Sequence, residues 1–198
     1  MNKILNLGLV WLCMGLGMEV LAVSWIKTGG PIGGLGYNVK IHPHNKKIMF
    51  VTDALSGVQK TTNGGKTWVT ANNGIDARSG PTGDDIPVFS LAIDQHDPDL
   101  MWVGTLNQKG VFKSIDGGET FIRKDNGILE DTGLTIRNFE IDHHDSDTVL
   151  MTGELDVGLS GDEFARVKGV IYLTNDGGDN WRKLWEGDSL TRWSCLEF

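Results

Sequence analysis

One short string occurs three times in this chain, and it restricts the possible folds more than any other feature. The copies run from Gly57 to Trp68, from Gly110 to Phe121 and from Gly169 to Trp181. Each copy has an Asn or Asp directly before two glycines and ends on a large aromatic residue. The Asn or Asp side chain can accept hydrogen bonds from the N–H groups of a turn, and glycine adopts positive φ without strain. The string therefore predicts a hairpin turn, made three times.

The aromatic residue at the end of each string predicts where neighbouring sheets meet. Because it recurs at one fixed position, we expect it to turn inward and to bury about 150 to 250 Å² between sheets in each copy. The residues predicted to have these structural roles are Asn63, Gly65 and Trp68 in the first string; Asp116, Gly118 and Phe121 in the second; and Asp176, Gly178 and Trp181 in the third.

A second repeated pattern precedes each string. Residues 37–52, 88–105 and 136–152 each contain an apolar strand, a polar turn and another strand, which predicts a hairpin. Two hairpins per repeat make four strands, and the closing aromatic residues lie 53 and 60 residues apart, a spacing that suits one four-stranded blade of a β-propeller. The predicted fold class is all-β, with a partial β-propeller of about three four-stranded blades.

Composition excludes several classes of protein. The 27 glycines among 198 residues argue against a helical bundle. The chain has 18 Lys and Arg against 26 Asp and Glu, for a formal net charge of -8. That charge repels phosphate groups, so nucleic acid and anionic lipid are not expected partners. The Gly-rich stretch 29–36 is not followed by the Lys-Ser/Thr of a phosphate-binding loop, and no cofactor is predicted.

The first 22 residues are predicted to be a signal peptide. A basic residue is followed by an apolar run from Ile4 to Leu16, and Ala22 supplies a small residue for cleavage. The alternative is a membrane anchor, but Glu19 interrupts the apolar stretch, which is shorter than the roughly 20 residues of a span. Residues 23–198 would then be a secreted domain, extracellular or periplasmic, with no membrane attachment.

The last residues of the chain resemble the beginning of another repeat. Residues 192–198 match the opening strand of each repeat, which predicts the first strand of a fourth blade. Three blades leave an open ring, because propellers close with about four to eight blades. This pattern favours a shortened product of a longer propeller. The alternative is a short chain whose ring closes through another chain.

The repeated string resembles the Asp-box, or BNR repeat, of sialidase-type and related β-propellers. The first repeat is also similar to the N-terminal propeller of glycoside hydrolase family 74, the two-propeller enzymes that cleave xyloglucan. The similar residues are the Gly-rich stretch 29–36, Tyr37, the stretch 41–43 and the stretch 50–57. Three residues depart from the pattern of that family: Val51, Ser56 and Gln59.

The resemblance implies that Asp53 is one of two catalytic carboxyl groups of an inverting hydrolase. Inverting hydrolysis needs a carboxylic acid and a carboxylate about 6.5 to 9.5 Å apart. The second group would come from another propeller, so we expect this chain by itself to be inactive. The alternative role of Asp53 is structural, as a residue at a strand end that bonds to the backbone.

The same resemblance suggests a polysaccharide ligand, with Tyr37 and Trp25 as candidates for stacking on sugar rings. The alternative is non-catalytic binding of a protein ligand, as in sortilin-type and photosystem assembly-factor propellers, which the chain also resembles. The stretch from His143 to Asp147 has residue types that bind metals, but its counterparts in the other repeats lie in turns. A turn is therefore predicted there, and no metal site.

Overall fold

The computed structural model describes residues 30–31, 36–156 and 167–187. These residues form twelve β-strands in three antiparallel sheets of four strands each. They include no helix, and so none that is long and apolar enough to cross a bilayer. The all-β prediction with about three four-stranded sheets is confirmed. The predicted signal peptide and the predicted strand of a fourth blade lie outside the described residues.

Each sheet is one blade, and its strands neighbour one another in chain order. The first blade contains β1 (Gly36–Ile41), β2 (Met49–Asp53), β3 (Gly57–Thr61) and β4 (Val69–Thr70). The second contains β5 (Val88–Ile93), β6 (Leu100–Thr105), β7 (Val111–Ile115) and β8 (Ile122–Arg123). The third contains β9 (Leu134–Asp142), β10 (Asp145–Asp156), β11 (Val167–Thr174) and β12 (Arg182–Glu186).

The first strands of the three blades lie side by side. β5 contacts both β1 and β9, so the second blade lies between the other two. The remaining strands of each blade follow outward from its first strand, in chain order. We therefore refer to β1, β5 and β9 as the inner strands.

The hydrophobic core lies between the blades. One cluster joins the first two blades and includes Phe50, Met101 and Phe121. A second cluster joins the second and third blades, where the ring centroids of Trp102 and Trp181 are 5.6 Å apart at an interplanar angle of 81°. Burial of apolar surface contributes about 25 cal/mol per Å². The arc of blades is therefore held together mainly by side chains that meet at the two junctions.

Each repeated string forms a turn closed by its own side chains. Asp116 accepts hydrogen bonds from the N–H of Thr120 at 2.9 Å and from the hydroxyl of Ser114 at 2.8 Å. That hydroxyl accepts a bond from the N–H of Gly118 at 3.0 Å. The other two turns have equivalent bonds at Asn63 and Asp176. The second glycine of each turn has positive φ: Gly65, Gly118 and Gly178.

The aromatic residues that end the second and third strings pack onto the preceding blade. Phe121 and Trp181 are 3% and 4% exposed. Their N–H groups donate to carbonyl oxygens of the preceding blade, Phe121 to Asn73 and Trp181 to Asn126, both at 2.8 Å. Trp68 differs from the expectation that all three aromatic residues are buried alike, because its side chain is only half-buried. Among the described residues, no strand of an earlier blade packs against Trp68, whereas Phe121 and Trp181 each pack onto the blade before their own.

The Asp-containing turns make stability depend on pH. Hydrogen bonds from the Thr120 side chain and N–H lower the pKa of Asp116 from 3.8 to about 2. Bonds from Asn180 lower the pKa of Asp176 to about 2 in the same way. A carboxyl whose pKa is lower in the folded than in the unfolded state stabilises the fold above its unfolded pKa. That stabilisation is lost as pH falls from about 4 toward 2.

We expect Asp116→Asn to flatten part of this pH dependence, because the amide does not titrate. The measurement is the free energy of unfolding at several pH values between about 4 and 2, for the parent and the variant. Asp84→Asn, which removes one exposed carboxylate outside the turns, is the control for loss of charge. Equal slopes for the parent and Asp116→Asn would contradict the assignment of this carboxylate to the turn.

Candidate ligand-binding surface

The three inner strands carry β-bulges at equivalent positions, and each bulge presents one large side chain. Tyr37 is the extra residue in the pairing of β1 with β2. Phe89 and Arg137 are the extra residues in the pairings of β5 with β6 and of β9 with β10. A bulge redirects the side chain of its extra residue, and bulges are over-represented next to active sites. We refer to Tyr37, Phe89 and Arg137 as the inner-strand row.

The members of the inner-strand row contact one another in order. The rings of Tyr37 and Phe89 are stacked, with centroids 4.4 Å apart and an interplanar angle of 29°. The guanidinium carbon of Arg137 lies 4.5 Å from the centroid of the Phe89 ring. Tyr37 is 38% exposed at one end of the row. The row is therefore a continuous surface across three blades, aromatic at one end and cationic at the other.

Glu154 of β10 holds the cationic end in place. The Nε and Nη2 atoms of Arg137 donate to its two carboxylate oxygens at 2.7 and 2.6 Å. A bidentate pair of this kind fixes the plane of the guanidinium. The two side chains are 29% and 22% exposed, so both remain in contact with solvent. The pair therefore offers oriented donors and acceptors beside the aromatic rings.

The middle of the row is anchored by the first blade. The hydroxyl of Thr52, which is buried, donates to the carbonyl oxygen of Phe89 at 2.7 Å. This bond ties the bulge of β5 to β2 of the neighbouring blade. Because the backbone that carries Phe89 is fixed in this way, the spacing of the row does not depend on a mobile loop.

The row combines a flat apolar surface with a fixed pair of charges. The Tyr37 ring offers a face for stacking and a hydroxyl for hydrogen bonding. Arg137 contributes N–H donors, and Glu154 contributes carboxylate acceptors. Ligand sites commonly have this composition of aromatic side chains and a few placed polar groups. The row can therefore hold a ligand that has both apolar faces and hydrogen-bonding groups, as a sugar ring or a peptide has.

Asp53, the predicted catalytic residue, lies at the end of β2 and is 3% exposed. Its Oδ1 atom accepts hydrogen bonds from the N–H groups of Leu55 and Ser56 at 2.8 and 2.9 Å. The Ser56 hydroxyl also donates to this oxygen, at 3.2 Å. These bonds close the turn between β2 and β3. Asp53 is therefore part of the turn that follows β2.

The predicted turn after β9 is also closed by acidic side chains. The N–H of His144 donates to Asp142 at 2.7 Å, and the N–H of Asp147 donates to Asp145 at 3.2 Å. Across residues 30–31, 36–156 and 167–187, no group of three or more His, Cys, Asp or Glu side chains is placed to hold a metal ion.

Sequence reasoning does not identify Phe89, Arg137 or Glu154 as site residues. The available signal is the alignment of the three repeats, which puts Tyr37, Phe89 and Arg137 at one position. The bulges cannot be detected from the alternation of apolar and polar residues in the sequence. The direction of these side chains could therefore not be predicted. Trp25, the other predicted stacking residue, lies outside the described residues.

Comparisons with solved structures support the propeller fold. An ancestral GH74 enzyme matches with a TM-score of 0.57 and 19% identity, over 80% of this chain and 19% of that one. YCF48 from Cyanidioschyzon merolae matches with a TM-score of 0.52 and 17% identity, over 78% of this chain and 41% of that one. Neither a protein-family model nor a curated protein sequence matches the chain.

These likenesses define the architecture as part of a β-propeller. At identities of 19% and 17%, they concern the fold alone. The chain spans about a fifth of the length of the GH74 enzyme and about two fifths of that of YCF48. The three blades are therefore comparable with a portion of each of these larger proteins.

Proposed function

We propose that this chain belongs to a secreted β-propeller that binds a polysaccharide across the inner-strand row. The observation that carries the proposal is the exposed Tyr37 ring, stacked on Phe89 and followed by the paired charges of Arg137 and Glu154. The likeness of the first repeat to the start of the xyloglucan-cleaving family makes a β-glucan the ligand to test first.

The chemistry of the row suits a sugar chain. The apolar C–H faces of a pyranose ring match an aromatic surface, and its hydroxyl groups can accept from Arg137 and donate to Glu154. Because the row crosses three blades, it can contact more than one sugar unit of a polymer. The acidic net charge of -8 disfavours a polyanionic ligand.

The geometry of Asp53 favours binding over hydrolysis as the function of this chain. A general acid or base must reach the substrate proton directly or through one water. The Oδ1 atom of Asp53 is instead engaged by two N–H groups and a hydroxyl within its own turn. Hydrolysis remains a second candidate for a longer parent protein, because the family resemblance assigns Asp53 to it.

Calorimetric titration with xyloglucan oligosaccharides and with mixed-linkage glucan oligosaccharides tests the proposal. We expect Tyr37→Ala to weaken binding by about tenfold, since loss of an aromatic contact costs on the order of 1 kcal/mol or more. Val69→Ala, which truncates an exposed side chain on an outer strand, is the matched control and should bind like the parent.

Release of reducing sugar is measured in parallel for the parent chain and for Asp53→Asn. We expect neither to hydrolyse either glucan. Equal affinities of the parent and Tyr37→Ala for glucan would show that the inner-strand row is not the binding site. No binding of any glucan by the parent would contradict the polysaccharide proposal and favour the protein-binding alternative.

A further inference from the structure

Three Asn-Gly pairs lie in turns of the described fold. They are Asn63–Gly64, Asn73–Gly74 and Asn126–Gly127. An asparagine before glycine is open to deamidation, because glycine has no Cβ atom to keep its backbone nitrogen away from the side chain of the preceding residue. Asparagine is accordingly among the thermolabile residues of proteins. The fold can therefore be examined for which of the three pairs it protects.

Two of the pairs have the same local sequence and the same backbone. Each is part of an Asn-Gly-Ile stretch, with a glycine φ of +86° in one and +88° in the other. The carbonyl of Asn73 accepts the N–H of Phe121, and the carbonyl of Asn126 accepts the N–H of Trp181, both at 2.8 Å. Both asparagines are exposed. Local sequence, backbone and access of water therefore do not distinguish Asn73 from Asn126.

The side chain of Asn126 is fixed by the turn of the third blade. Its Nδ2 atom donates to the side-chain oxygen of Asn180 at 2.8 Å and to the carbonyl of Asp179 at 3.1 Å. The Nδ2 atom of Asn180 in turn donates to Asp176 at 2.9 Å, so the acceptor is itself held in place. The side chain of Asn126 would have to break both of its bonds before its carbonyl carbon could approach the nitrogen of the next residue.

The side chain of Asn73 is not held in this way. Within the part of the chain that the structure describes, it makes no hydrogen bond. The position of Asn180 in the third blade is occupied by Thr120 in the second. The Thr120 hydroxyl donates to Asp116 at 2.5 Å, and a threonine has no amide oxygen to accept from Asn73. The Asn73 side chain can therefore rotate toward the nitrogen of Gly74.

The side chain of Asn63 is fixed within its own turn. Its Oδ1 atom accepts the N–H of Thr67 at 3.0 Å, and its Nδ2 atom donates to the hydroxyl of Thr67 at 2.7 Å. The N–H of Gly64, whose nitrogen would be the attacking atom, donates to the carbonyl of Lys47 at 2.9 Å. Both groups that would have to react at this pair are therefore engaged in hydrogen bonds.

We propose that Asn73 is a site of spontaneous deamidation in the folded protein, and that the reaction alters the junction between the first and second blades. The nitrogen of Gly74 loses its proton and attacks the side-chain carbonyl carbon of Asn73. The bond from that carbon to the side-chain nitrogen breaks, and ammonia leaves. Water then opens the cyclic imide at one of its two carbonyl groups, which gives either aspartate or isoaspartate. Water is the only molecule consumed, and nothing is oxidised or reduced.

Isoaspartate changes the backbone at a point where the two blades meet. The main chain then passes through the former side chain of Asn73 and is one atom longer. The carbonyl that accepts the N–H of Phe121 is no longer part of the main chain. Gly74 has little room to move, since an added Cβ atom would lie 2.0 Å from the carbonyl oxygen of Phe121. Aspartate, by contrast, adds a charge and leaves the backbone unchanged.

Mass spectrometry of peptides from the chain, sampled over time at mildly alkaline pH, tests the proposal. We expect the deamidation rate at Asn73 to be at least about threefold those at Asn126 and Asn63, because hydrogen bonds hold the other two side chains. In urea, which removes the fold, the difference between Asn73 and Asn126 should be lost. Thr120→Asn supplies the amide oxygen and should slow the reaction at Asn73 to the rate at Asn126. Thr120→Ser keeps a hydroxyl and is the matched control, with the rate of the parent.

Equal rates at Asn73 and Asn126 in the folded parent would overturn the proposal, as would a difference that persists in urea. A rate at Asn73 that is the same in Thr120→Asn and in the parent would also overturn it. Circular dichroism establishes that each variant is folded, and Asn180→Thr, which should raise the rate at Asn126, replaces Thr120→Asn if that variant does not fold. For the junction, the isoaspartate form should unfold at a lower urea concentration than Asn73→Asp. Equal midpoints would overturn the effect on the junction.

Discussion

Truncation of Phe121 to Ala is expected to lower the free energy of unfolding by about 3 to 5 kcal/mol. The side chain is 3% exposed and belongs to the cluster that joins the first and second blades. Its removal would leave a cavity at the junction, because its neighbours are held by their own strands and cannot all move inward. The loss therefore includes both the transfer of the ring to water and the cost of the cavity.

Urea denaturation followed by circular dichroism measures this effect. Ile122→Ala is the matched control, because Ile122 is the next residue along the chain and is 59% exposed. Its truncation should change stability by no more than about 0.5 kcal/mol. An unchanged denaturation midpoint for Phe121→Ala would mean that the core does not lie at the junction.

Gly127→Ala is the second substitution for which we expect a large effect. Gly127 has a φ of +88°, and a Cβ atom there would lie 2.2 Å from the carbonyl oxygen of Trp181. The neighbouring residue Asn126 accepts the N–H of Trp181 at 2.8 Å. A methyl group at position 127 would therefore force the third blade away from the second and break the contact that aligns them.

Gly83→Ala separates this clash from the effect of backbone conformation. Gly83 also has a positive φ, of +73°, but an added Cβ atom would meet no atom within 4 Å. Its substitution should cost about 1 to 2 kcal/mol, the usual penalty of a left-handed backbone for alanine. We expect Gly127→Ala to destabilise the protein by at least about 2 kcal/mol more. Equal destabilisation by the two variants would show that the close approach of the blades is not important for stability.

The fold could be predicted because its signals are local and repeated. The hairpin turns of the three strings depend on Asn or Asp followed by two glycines. These residues can be recognised in the sequence of each string without knowledge of distant contacts. Alternation of apolar residues before each string predicts the paired strands in the same way. The three four-stranded sheets therefore agree with what the sequence predicts.

The candidate site could not be predicted to the same extent, because it depends on contacts between repeats. Phe89 and Arg137 have no local motif, and they become part of a surface only when three bulges place them beside Tyr37. The burial of Phe121 and Trp181 likewise depends on the blade before each of them and not on their own strings. For Asp53, the family resemblance implies catalysis, and the bonds to Leu55 and Ser56, which sequence reasoning did not predict, place it in a turn.

Packing of the aromatic residues of the second and third strings onto the preceding blade underlies the two junctions of the fold. A double-mutant cycle between Trp102 and Trp181, with Leu at each position, measures that contact directly. We expect a coupling free energy of about 0.5 to 1.5 kcal/mol for this edge-to-face pair. A cycle between Phe50 and Trp181, which lie in different junction clusters, should give coupling below about 0.5 kcal/mol. Coupling between Trp102 and Trp181 that is no larger than in this control would contradict the account.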